Sequence, residues 1–90
     1  MARYLVQARH TPQDCLQALD DIVALGPNEI DRYDFGCAAG DHSNHVCFCS
    51  TEADSETAVR ASLPGSIRDQ AQIIEVGKFT VEQIKAFHGA

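Results

Sequence analysis

Residues 3–27 read RYLVQARHTPQDCLQALDDIVALGP, and the change of period inside this stretch decides the fold. From Arg3 to His10 the chain alternates. Tyr4, Val6 and Ala8 share one face, while Arg3, Gln7 and Arg9 share the other with Leu5. Period-two alternation marks a half-buried strand. A helix start follows, with Thr11 as N-cap, Pro12 in the first helical position and Asp14 favourable to the helix dipole. Leu16, Leu19 and Val23, flanked by Cys15 and Ile22, then form an apolar stripe at helical spacing. Gln13, Gln17, Asp20 and Asp21 take the wet side, and Gly26-Pro27 ends the helix. The spacing predicts a strand over 3–9 and a helix over 12–25.

Working outward, Tyr33, Phe35 and Cys37 alternate with Arg32, Asp34 and Gly36, which predicts a strand over 30–37. The stretch from Ala39 to Asn44 has the Gly, Asp and Asn content of a hairpin loop. A third strand is expected over 45–50, with Val46 and Phe48 on one face and His45, Cys47 and Cys49 on the other. A helix over 51–63 ends at Pro64-Gly65, a strand occupies 72–76, and Thr80 with Gln83 forms a capping box opening a terminal helix. The order β-α-β-β-α-β plus a helix predicts an α+β fold of ferredoxin-like, split βαβ type. It reads as one domain over 1–90, a four-stranded antiparallel sheet with two helices on one face. Tyr4, Val6, Ala8, Val46, Phe48, Ile74 and Val76 are expected to face the helices. Leu5, His45, Cys47, Cys49 and Ile73 are expected on the open face, among Arg3, Gln7, Arg9, Arg32, Asp34 and Glu75.

Composition limits the function. Seven basic residues against thirteen acidic give a net charge of −6, with the basic residues scattered. That pattern does not make the basic patch a nucleic-acid binder needs. No apolar run reaches the roughly 20 residues a bilayer span requires, and the N-terminus reads as a strand rather than a signal peptide. Four cysteines are too few for a disulfide framework in a chain with a fair core. The expectation is a cytoplasmic protein with reduced thiols. A core of this size leaves a thin stability margin, so a homodimer through the open sheet face, burying Leu5, Cys47 and Ile73, is expected.

The main chemical constellation is Cys37, His42, His45, Cys47 and Cys49, five metal-binding side chains within thirteen residues. His and Cys suit zinc, nickel or copper. Positions i and i+2 of a strand lie about 6.6–6.8 Å apart, whereas two sulfurs on one tetrahedral ion approach to about 3.8 Å. The expected metal ligands are therefore His42 and His45 with a sulfur from Cys47 or Cys49, at or near a dimer interface. His10, at the end of the first strand, and Asp34, beside Arg32, are the candidate general bases. The chain shows no glycine-rich phosphate loop or serine nucleophile motif.

The strand ending in His10, the Gly-Asp-His hairpin loop and the Ser-Thr-Glu-Ala helix start resemble small ferredoxin-like proteins of the dimeric α+β barrel group. The layout is also similar to a family of small nickel-binding proteins. The resemblance implies the fold and a dimer; no family's ligand set matches residue by residue. The leading reading is a small dimeric protein that binds or senses a small molecule or metal ion, nickel or zinc. Two others stand beside it. One is a cofactor-independent enzyme of the monooxygenase or isomerase kind, using His10 or Asp34. The other is an accessory oligomeric subunit.

Overall fold

A computed structural model describes residues 1–89. Four strands, β1 (Ala2–Arg9), β2 (Tyr33–Phe35), β3 (Val46–Ala53) and β4 (Gln72–Val76), form one antiparallel sheet in the order β2-β3-β1-β4. The helices are α1 (Cys15–Ala24), α2 (Glu56–Ala61), α3 (Gly65–Arg68) and α4 (Val81–Gly89). The chain order and the all-antiparallel pairing make this an α+β architecture of ferredoxin-like type. One face of the sheet packs on Ala18 and Ile22 of α1, Val59 of α2 and Ile67 of α3, together with Leu63 and Ala71.

The first helix starts as its residues dictate. The Thr11 hydroxyl accepts the Asp14 N–H at 3.2 Å, and Pro12 opens a single 3-10 turn that runs into α1. Its buried stripe is rotated from the expected one. Ala18 and Ile22 are buried and Cys15 half-buried, while Leu16 and Val23 are exposed. Spacings of three and four residues from Cys15 therefore define the inward face.

Strand β2 is shorter than the 30–37 expected, because 3-10 turns at Ile30–Arg32 and Gly36–Ala38 bracket it. The second turn lies so close to the chain at Asn44 that any Cβ on Gly36 would sit 2.6 Å from the Asn44 carbonyl oxygen.

Strand β3 turns the other way from the expectation. Cys47 and Cys49 are buried against the helices, and Phe48 is exposed on the open face. The pairing register explains this: Ala8 and Val6, already inward, stand opposite Cys47 and Cys49. Directly opposed residues share a face. The same rule corrects β4, where Ile73 opposite Val6 packs on the core. Ile74 opposite Leu5 and Val76 opposite Arg3 turn outward. Val46 is buried too, but opposite Arg9 and against Gly36, outside the core that faces the helices.

The helix expected over 51–63 begins later, since β3 continues to Ala53. Ser55 caps α2, its hydroxyl accepting the Ala58 N–H at 3.1 Å. Losing that cap should cost about 1 kcal/mol, so Ser55→Ala is expected to lower the melting midpoint by about 4–8 °C. Thermal unfolding by circular dichroism checks it; an unchanged midpoint would show that the cap is not holding α2. After Pro64 the chain forms α3, which the sequence reading did not anticipate. Arg60 binds the Arg68 and Ala71 carbonyls, and Arg68 binds that of Leu63, tying the segment down.

Candidate metal centre

Four side chains from four separate segments converge at one end of the sheet. His10 follows the last residue of β1, Cys15 opens α1, Cys37 lies in the Gly36–Ala38 turn, and His45 precedes β3. Each position has a local cause. The His10 N–H donates to the His45 carbonyl at 3.1 Å, which holds the two histidines side by side as the ladder of β1 and β3 ends. Their rings meet edge to face with centroids 5.4 Å apart. The Thr11–Pro12 start aims the first turn of α1 back toward the sheet, and the glycine contact at Gly36 draws Cys37 in beside it.

One ligand atom from each residue lies within 4.8 Å of all the others. The two sulfurs, Cys15 Sγ and Cys37 Sγ, are 3.9 Å apart, and Cys37 Sγ is 3.7 Å from His10 Nε2. A tetrahedral zinc with Zn–S near 2.3 Å and Zn–N near 2.0–2.1 Å places sulfurs about 3.8 Å apart and sulfur and nitrogen about 3.5–3.6 Å apart. Those two pairs already stand close to these separations, and the remaining donors lie within 4.8 Å.

Two further observations bear on a ligand. The Nδ1 atoms of His10 and His45 are buried and find no hydrogen-bond partner among the described residues. A buried polar nitrogen left unpaired costs about 1–3 kcal/mol; in His10 it is the other ring nitrogen, Nε2, that faces Cys37 Sγ. In addition, His42 donates from Nδ1 to the Cys37 carbonyl at 2.9 Å. This contact steadies the turn that carries Cys37.

Burial and the neighbouring His45 hold the His10 pKa below the ordinary imidazole value, against a smaller opposing pull from Asp14. Burial and the adjacent Cys37 push the Cys15 thiol above its usual range. At neutral pH His10 is thus an uncharged ligand, and Cys15 a thiol that must lose its proton to a metal. A cavity of about 250 Å³, lined by His10, Thr11, Asp14 and Ser66 among others, opens beside the cluster.

Of the residues expected to bind metal, the structure brings only His45 into this group. His42 stands behind Cys37, holding its backbone, and Cys47 and Cys49 sit in the core. Burial pushes the Cys47 thiol up to about 11, with Cys49 and Cys37 adding to it, and burial also raises Cys49. The two candidate bases are separated: His10 joins the cluster, and Asp34 is exposed on the open sheet face, lining a groove with Arg32 and Phe48. Cys15 was missed as a candidate ligand, and His10 was weighed mainly as a base. Their signal was present as His10-Thr11-Pro12, a histidine immediately before a capped helix, with a cysteine at the first inward position of that helix.

The chain matches no protein-family model, no curated protein and no solved structure. Among the described residues no helix is long and apolar enough to cross a membrane.

Proposed function

We propose that this chain is a metal-binding protein whose ion is held by His10, Cys15, Cys37 and His45. The observation that carries the reading is the convergence of two sulfurs and two imidazoles within 4.8 Å. Two thiolates with two imidazoles in a tetrahedral array favour zinc over nickel, which in its divalent state prefers square-planar surroundings. Four protein donors also fill a tetrahedral ion's coordination. Catalytic zinc keeps one position for water or substrate, so the arrangement supports holding, buffering or sensing a metal rather than catalysis. The four donors lie far apart in sequence, so the ion would clip the end of β1, the start of α1, the Gly36 turn and the approach to β3 to one another. Loading and folding of this corner would then be coupled.

Titration of the reduced protein with zinc and with nickel, read by calorimetry in buffers of different ionisation enthalpy, tests the reading. One zinc per chain is expected, with about two protons released at pH 7 as the thiols give way to thiolates. Affinity should fall as pH falls. Thiol protons compete at every pH below the thiol range, and protonation of His10 adds only below the ordinary 6.5, because its folded value is depressed. No zinc heat above dilution, or equal affinity in a Cys15→Ser, Cys37→Ser double variant, would overturn the proposal.

A further inference from the structure

Two further apolar features of the molecule are exposed. The first is the open face of the sheet, where Leu5, Phe48 and Ile74 are exposed around a groove of about 490 Å³ that also touches Gln7, Arg32 and Asp34. The second is the C-terminal arm. Every residue from 77 to 89 is exposed, and Phe79, Val81, Ile84 and Phe87 show between 45% and 70% of their surface. The radius of gyration is 16.0 Å and the longest dimension 52 Å, whereas a compact chain of this length has a radius near 12 Å. The arm accounts for the excess by standing clear of the body.

The arm is nevertheless well formed. Thr80 and Gln83 make a reciprocal capping box, the Gln83 side chain accepting the Thr80 N–H at 2.7 Å and the Thr80 hydroxyl accepting the Gln83 N–H at 3.1 Å. Phe79 and Phe87 meet edge to face at 5.7 Å, gathering the apolar side chains together. A helix of nine residues is too short to hold its shape in water without a surface to lie on, since isolated helices below about 12–15 residues are marginal. Such a helix therefore needs a dock, and the open sheet face supplies an exposed apolar groove.

We propose that two copies of this chain associate reciprocally, the 79–87 arm of each seated on the Leu5, Phe48 and Ile74 face of the other. The match is one of chemistry and of size. A helix of nine residues is about 13 Å long, close to the span of three neighbouring strands at about 4.8 Å spacing. A stable dimer needs about 800 Å² from each partner. One arm in one groove falls short of that area, but reciprocal exchange makes each copy supply both an arm and a groove. Two aromatic side chains per arm, at about 150–250 Å² each, bring the total to the required scale. The proposal is independent of the metal centre, none of whose residues lines this groove.

Sedimentation velocity at micromolar concentration, on an arm variant (Ile84→Asp, Phe87→Asp) and a face variant (Phe48→Asp, Ile74→Asp), tests it. All four side chains are at least 43% exposed, so each variant should keep the wild-type circular dichroism. The wild type is expected to sediment at twice 9.8 kDa, and each variant alone as a monomer, with dimer dissociation raised at least tenfold. An equimolar mixture of the two variants should recover a dimer at higher concentration than the wild type needs, because one intact arm then meets one intact face. An arm variant that stays dimeric would overturn the proposal in favour of direct sheet-to-sheet packing. A monomeric wild type would also overturn it. Solution scattering would then distinguish an arm folded back on its own sheet, near 12 Å, from a free arm at 16.0 Å.

Discussion

Zinc added to the reduced protein is expected to raise its melting midpoint by about 15–30 °C. A ligand that binds only the folded state stabilises by about 4 kcal/mol at a thousandfold excess over its dissociation constant. In a domain of this size each kcal/mol moves the midpoint by about 4–8 °C. The effect should be large because the donors come from four segments, and an unfolded chain cannot present them together. Cys37 touches both Cys15 and His10, at 3.9 and 3.7 Å, so Cys37→Ser should abolish most of the shift. In the presence of a chelator the same variant should melt within about 2 °C of the wild type, since Cys37 is only half-buried and serine is nearly isosteric. Differential scanning calorimetry with and without zinc checks both statements. A wild-type rise below about 2 °C, or the same rise in Cys37→Ser, would contradict them.

Gly36→Ala should damage the fold and the site together. The added methyl would lie 2.6 Å from the Asn44 carbonyl oxygen, 2.9 Å from Val46 Cγ1 and 3.0 Å from Asn44 Cβ. The nearest of these atoms is backbone, which no rotamer change can move aside, so the Gly36–Ala38 turn and the 44–46 segment must separate. Overpacking of this kind costs about 1–3 kcal/mol, and a backbone obstacle places the cost toward the upper end. The same separation carries Cys37 away from His45, because each residue follows directly on one side of the contact. Zinc affinity should therefore fall by about 10–100-fold, as it does when a supporting contact behind a ligand is lost. Competition with a chromogenic chelator measures the affinity, and urea unfolding of the metal-free chain measures the stability. Wild-type values in both would overturn the prediction.

Neither prediction follows from the order of residues alone. The constellation between Cys37 and Cys49 drew attention to the hairpin, because five soft donors lie close together there. Closeness along a strand is a poor guide to a tetrahedral site, since the pleat holds successive side chains on opposite faces and alternate ones nearly 7 Å apart. The side chains that do converge lie at element boundaries. His10 is at a strand end, Cys15 in a helix's first turn, Cys37 in a 3-10 turn and His45 at a strand start. At such points the backbone changes direction and can aim a side chain out of register. His42, expected as a ligand, stands outside this group and donates to the Cys37 carbonyl.

The sequence by itself determined the four strands, the first two main helices and the terminal helix, and their order, though not α3 or the 3-10 turns beside β2. Alternation in residues 3–9, the Thr11-Pro12 helix start and the proline-glycine stops are local signals, set by dihedral preference and periodic burial within a few residues. It also determined that the terminal helix begins at Thr80, because a capping box is complete within four residues. Tertiary structure decided which face each strand presents. A one-residue change of register exchanges the two faces of a strand, and a β3 reading Val-Cys-Phe-Cys is nearly as apolar on one face as on the other. Only pairing with Val6 and Ala8 settled that the cysteines go inward and Phe48 outward. The same non-local contacts brought His10 to His45 and Cys15 to Cys37 across 35 and 22 positions of chain, a distance no local propensity can span.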